Sequence, residues 1–211
     1  MTDENGNPVS TGAKAANANL NFTNTYVATG DVTFIARKTL IDGDLSKNPF
    51  KIRLTQVNGD QSTTQAATNV VLKEPVEKLA NSGNEQTVTF ELKEIFAKKK
   101  LDDGTIRDDT KNEFWFLLEE VVPDNLPADR IDSNTKYDTV TQKWIKVTVA
   151  DDGKGKLIVT KDPNPTGEPD ASFTNEQLGG VKVSKVFAGY KAPDAFAITA
   201  NYTLNGTEVT R

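Results

Sequence analysis

The sequence predicts an all-β fold, a β-sandwich, and three observations carry that prediction. Ten segments have the β-branched and aromatic content of strands, and most alternate with period two. Turn pairs separate them: Asp42-Gly43, Asn58-Gly59, Asp103-Gly104, Asp152-Gly153 and Asn205-Gly206. No helical pattern alternates with the strands, which disfavours a parallel α/β arrangement.

Taken in order, the first strand segment, 20–26, carries Leu20, Phe22 and Tyr26. Segment 32–40 alternates Val32, Phe34 and Ala36 with Thr33, Ile35 and Arg37. Segments 50–57 and 87–92 follow, the latter built on Val88 and Phe90. Segment 113–122 is the most aromatic, with Phe114, Trp115 and Phe116. Segments 144–149 and 157–161 flank a Gly-containing hairpin turn, and 171–176 ends in Phe173, Thr174 and Asn175. Two more, 181–187 and 196–204, close the series. Segment 162–170 holds three prolines and one glycine and is expected to be a loop. Val76 to Asn81 hints at a helical turn, and the long polar region 58–86 reads as a loop insertion. The basic run Lys98 to Lys100 reads as a solvated loop. Short strands with these turns fit a sandwich of Ig-like type.

A weak internal repeat suggests the boundaries. Phe22-Thr23-Asn24 recurs as Phe173-Thr174-Asn175, each followed by a short Gly-containing link and a lysine-bearing strand. Residues 1–28 are expected to be the last strand of a preceding module, 30–177 one complete module, and 180–211 the truncated start of a following one.

Composition limits the function. Apolar residues make up 36% of the 211-residue chain, low but sufficient for sheets with one solvated face. A net charge of -5 leaves no basic surplus for nucleic acid. With neither cysteine nor histidine, there are no disulfides, no Cys/His zinc sites and no histidine-based catalysis. No apolar run reaches membrane-spanning length. No signal peptide or sorting signal is visible, so the chain reads as an internal piece of a longer protein.

Three polar residues fall on apolar strand faces. Lys38 is in register with Val32, Phe34, Ala36 and Leu40; Glu120 with Phe114, Phe116 and Leu118; Asn175 with Ala171 and Phe173. Trp115, Leu117 and Val121 make the opposite face of 114–121 apolar too, so Glu119 is an alternative inward acid. Buried ionisable groups cost several kcal/mol unless they satisfy one another. An apolar pocket keeps an amine neutral and a carboxyl protonated. Lys38 is then a nucleophile. Glu120 is expected to donate to the carboxamide oxygen of Asn175 and to carry protons to departing ammonia. Holding the reactants together replaces roughly 7–11 kcal/mol of activation cost, with Phe34, Phe116 and Phe173 expected to exclude water. The event happens once per molecule and is not enzymatic turnover. It would tie the start of the module to its end, with no metal or cofactor.

These segments resemble the pilin isopeptide-linkage domain of Gram-positive pili and surface adhesins, as in streptococcal pilus shaft subunits. The matching pieces are FIARKTL (34–40), FWFLLEE (114–120), KWIKVTVADDGKGKL (143–157) and ASFTN (171–175), in the family's order. The resemblance implies CnaB-like sandwich modules in tandem and a Lys38–Asn175 bond assisted by Glu120. It also implies a structural, non-enzymatic role in a shaft or stalk at the cell surface, anchored to the cell wall, with neighbouring modules as partners. By the same resemblance, Asn24 and Lys185 are crosslink partners belonging to the neighbouring modules. The doubled Glu119-Glu120 departs from the pattern and leaves the acid's identity open.

The rival expectation is an adhesin module that recognises host protein or glycan through loops 58–86 or 98–112, although aromatic residues are sparse there. The Asp151 to Lys156 stretch reads as a hairpin rather than a phosphate or calcium loop. The acids Asp102, Asp103, Asp108 and Asp109 read as a solvated loop, and the three glycosylation triplets as chance matches.

Overall fold

The computed structural model describes residues 4–7, 25–163, 167–179, 201–204 and 207–210. Two compact units divide the chain, 1–178 and 179–211. In the first unit eleven strands form two sheets. They are β1 (Ala28–Ile41), β2 (Phe50–Val57), β3 (Val76–Ala80), β4 (Glu85–Lys100), β5 (Ile106–Asp108), β6 (Glu113–Glu120), β7 (Ile131–Asp132), β8 (Thr135–Lys136), β9 (Gln142–Asp151), β10 (Leu157–Asp162) and β11 (Ala171–Gln177). One sheet runs β5-β4-β1-β11-β8-β7 and the other β10-β9-β6-β2-β3. The second unit shows one hairpin, β12 (Asn201–Leu204) with β13 (Thr207–Thr210). The expected strand 181–187, with most of 20–26 and half of 196–204, lies outside the described residues.

Alternation builds the core. Every even-numbered residue of β1 is inward and buried, among them Val32, Phe34, Ala36, Lys38 and Leu40. From the facing sheet come Ile52, Leu54, Phe114, Phe116, Leu118, Ile145 and Val147. Aromatic rings lock the layers together, Phe34 on Phe116 at 4.8 Å and Phe96 on Phe114 at 4.9 Å. Each such side chain contributes about 1.5–3 kcal/mol by leaving water.

The first and last strands of this unit are neighbours. β1 pairs with β4 antiparallel and, over residues 36–41, with β11 in parallel, so residues 36–39 have a strand on each side. Asp170 fixes the start of the parallel pair: its N–H donates to Ile35 O, and its carboxylate accepts the Ile35 N–H and the Lys161 ammonium.

Four expectations are corrected. The proposed helical turn at 76–81 is strand β3, because pairing along the free edge of β2 outweighs the local signal. There, Glu77 bridges Lys51 and Arg53. The Lys98 to Lys100 run is the end of β4, paired with β5, and Lys98 donates to Asp151 at 2.9 Å. The acids nearby also have structural work. Asp109 is buried against Arg107 and the Ala97 N–H, and Asp108 caps the single 3-10 turn Asp109–Lys111. The insertion 58–86 is not simply a loop. Besides containing β3, it is pinned by Gln56, which accepts from the N–H groups of Val71 and Leu72 and donates to Asn69 O.

Candidate functional site

Both sheets supply the site. β1 carries Lys38 inward in line with Ala36 and Leu40, and β11 carries Asn175 inward in line with Phe173. Lys38 stands opposite Phe173 in the parallel ladder and Leu40 opposite Asn175, so the two polar residues lie diagonally on one face. From the facing sheet, the end of β6 brings Glu120 in line with Phe116 and Leu118. All three are withdrawn from water, at 0% exposure for Lys38, 2% for Glu120 and 1% for Asn175.

Glu120 links the other two. Lys38 Nζ lies 3.0 Å from Glu120 Oε1 and 3.1 Å from Oε2. Asn175 Nδ2 donates to the same Oε1 at 2.7 Å. The Asn175 Oδ1 accepts from the main-chain N–H of Asp138 at 3.0 Å. Beneath the amine, the Phe50 ring centroid is 4.5 Å away, and Phe50 packs edge-on against Tyr137 at 5.9 Å.

Burial shifts both groups toward their neutral forms. It drives the Lys38 ammonium below its usual range, with Glu120 pulling the other way, and pushes the Glu120 carboxyl up against the opposing pull of Lys38 and Asn175. Burial therefore favours the neutral amine beside the neutral acid. An uncharged amine is a nucleophile.

Glu119 faces the other way. Its carboxylate takes Gln142 Nε2 at 3.0 Å and Arg53 at 3.5 Å on the outer surface of the sheet. Glu120 is thus the acid next to Lys38. The contact expected between Glu120 and the carboxamide oxygen is not the one formed. The carboxyl sits on the carboxamide nitrogen, and the oxygen accepts from the Asp138 N–H. Phe34, Phe116 and Phe173 are fully buried core residues, while the ring beneath the amine is Phe50. Phe50 was legible as the first inward residue of its strand. Asp138 carries no sequence signal, since it lies in a loop and meets Asn175 through its main-chain N–H. Asn24 and Lys185 lie outside the described residues.

The FctA family, described as the Spy0128-like isopeptide containing domain, matches residues 34–177, more than half of the chain. The chain belongs to this family. No curated protein matches it. The FctA match begins within β1 and ends at the last residue of β11, so it covers Lys38, Glu120 and Asn175. Membership makes this a pilin-type structural domain of the kind found at the cell surface. Among the described residues no helix is long and apolar enough to cross a membrane.

Proposed function

We infer that residues 30–177 are a shaft or stalk module of a Gram-positive surface protein, closed on itself by a Lys38–Asn175 isopeptide bond. One observation carries this reading. A single buried carboxyl oxygen, Glu120 Oε1, stands 3.0 Å from the attacking nitrogen and 2.7 Å from the leaving one.

The chemistry follows from that placement. Lys38 Nζ attacks Asn175 Cγ. Glu120 takes a proton from Nζ and delivers one to Nδ2, which departs as ammonia. The fold supplies the proximity that makes an amide substitution feasible without a cofactor. The product ties the first strand of the module to the last. Tension entering along one of these strands passes to the other through a covalent bond, and the sheets are not peeled apart. An amide also resists reduction, which suits a chain without cysteine. Asn24 and Lys185 are read as the equivalent partners in flanking modules, so that the shaft is a tandem series on the cell wall.

The test is the intact mass of the full chain, with Lys38→Ala as control. A wild-type chain lighter than its sequence by one ammonia, with no loss in the control, supports the reading. A full mass in folded wild-type protein overturns it and leaves the three residues as a buried polar cluster.

A further inference from the structure

We propose that the main-chain N–H of Asp138 is the oxyanion donor for the crosslinking reaction, and that the Asp138 carboxylate is the positioning group that aims it. This rests on the reading that Lys38 and Asn175 condense.

The starting observation is a division of contacts around one carboxamide. Its nitrogen belongs to Glu120 and its oxygen to Asp138. When Nζ attacks, the Nζ–Cγ bond forms and the carbonyl electron pair moves onto Oδ1. Negative charge then develops 3.0 Å from an N–H that already points at it. A fixed donor of this kind needs no reorganisation as the charge appears. Collapse returns the pair to the carbonyl and breaks Cγ–Nδ2. The proton shed by Nζ reaches Nδ2 through Glu120, ammonia leaves, and nothing is oxidised or reduced. Glu120 is turned to the nitrogens instead: its Oε1 meets both, and its Oε2 accepts from Lys38 Nζ at 3.1 Å.

The carboxylate of Asp138 explains why the N–H is so placed. One oxygen accepts from the Thr174 N–H at 2.7 Å, next door to Asn175, and the other from the Val140 N–H at 3.0 Å. Segment 138–140 is thereby clasped to β11. On the other side, the Tyr137 N–H donates to Arg130 O at 2.9 Å, and the Tyr137 ring rests on Phe50 under the lysine. Residue 138 is held from both directions, with its N–H on the reacting oxygen.

The experiment follows the loss of ammonia by intact mass after full-length chain is made in a cell-free system and synthesis is stopped. Peptide mapping identifies the crosslink, and near-UV circular dichroism monitors the fold. Replacing Asp138 by its α-hydroxy acid deletes only the N–H. The expected result is a folded chain that crosslinks slower by on the order of 100- to 1,000-fold. Asp138→Ala keeps the N–H but releases the clasp, and is expected to be slow. Asp138→Asn keeps one acceptor, and its rate should fall between those of Asp138→Ala and wild type. A folded ester chain that crosslinks at the wild-type rate overturns the oxyanion role. A folded Asp138→Ala chain that does so overturns the positioning role. A wild-type chain that never loses ammonia instead sinks the underlying crosslink reading, an outcome that the variants cannot mimic.

Discussion

Asn175 Nδ2 donates to Glu120 Oε1 at 2.7 Å, which places the carboxyl on the nitrogen that leaves in the proposed crosslinking. Amide nitrogen is a poor leaving group unless it gains a proton, and here the only buried acid in contact is aimed at it. The same oxygen faces the Lys38 amine, the proposed nucleophile. A carboxyl between two nitrogens can move a proton from one to the other with little motion of its own, whereas one placed on the carbonyl oxygen would have to swing.

Glu120→Gln is therefore expected to abolish ammonia loss, while Glu119→Gln leaves it intact. A carboxamide at 120 preserves size and burial but cannot shuttle the proton. The Glu119 pair is partly exposed, with side-chain exposures of 35% and 17%, so its loss should cost no more than about 1 kcal/mol. Intact mass and thermal melting of the two variants read both effects. A crosslinked Glu120→Gln chain would remove the shuttle from the mechanism.

Asn175→Ala should lower stability by about 5 kcal/mol on the chain-entropy model, since the proposed bond would close a loop of about 138 residues. This variant keeps Lys38 and Glu120 paired, and so isolates the crosslink from the cost of an orphaned buried charge. Denaturant midpoints, compared with those of wild type, measure the difference. Equal midpoints would mean that packing alone holds β1 against β11.

Glu120→Ala and Asn175→Ala should differ in how their stability depends on pH. In Glu120→Ala, burial keeps the pKa of Lys38 below its ordinary 10.5 in the folded state. Between that lowered value and 10.5 the unfolded chain holds a proton that the folded chain lacks. Stability then rises with pH across the window and falls as the pH drops through it. In Asn175→Ala, Lys38 and Glu120 share one proton in the folded state, whichever atom carries it. The unfolded pair also holds one between 4.5 and 10.5, so this site adds no slope there. Urea midpoints of both chains between about pH 6 and pH 10 test the sign. Parallel curves would show that Lys38 reaches water once Glu120 is gone.

Period two made much of this site legible. Lys38, Glu120 and Asn175 each sit on the inward parity of a strand among buried Phe, Leu, Val or Ala residues, and the structure buries all three. Parity alone could not choose between Glu119 and Glu120. Both faces of β6 are apolar, and what distinguishes them is the neighbours: Arg53 and Gln142 offer Glu119 polar partners on the outside. Edge strands were harder to see. β3 and β5 are short and charged, and they exist because β2 and β4 leave free edges for them to pair with. The parallel pairing of β1 and β11 joins residues too far apart in sequence for any local pattern to register. The contact of Asp138 with the carboxamide oxygen is made by its backbone, which residue identity does not report.

The anchoring of the insertion gives a last prediction, one that should separate from the crosslink. Gln56 is 2% exposed, and its amide satisfies three main-chain groups, at Asn69, Val71 and Leu72. Val71 and Leu72 in turn pack against the core. Gln56→Ala strands those polar groups, each costing about 1–3 kcal/mol if it stays buried. The cheaper response is for 69–72 to lift toward water. Lys38, Glu120 and Asn175 make no contact with this segment through hydrogen bonds, so ammonia loss should proceed normally. Hydrogen exchange at Val71 and Leu72 should accelerate and proteolysis within 58–75 should increase, while amides of β1 and β11 keep their protection. Unchanged exchange at Val71 and Leu72 would place the anchor elsewhere, on the Val57–Gln65 bridge and the bond from Gln65 to Lys73 O.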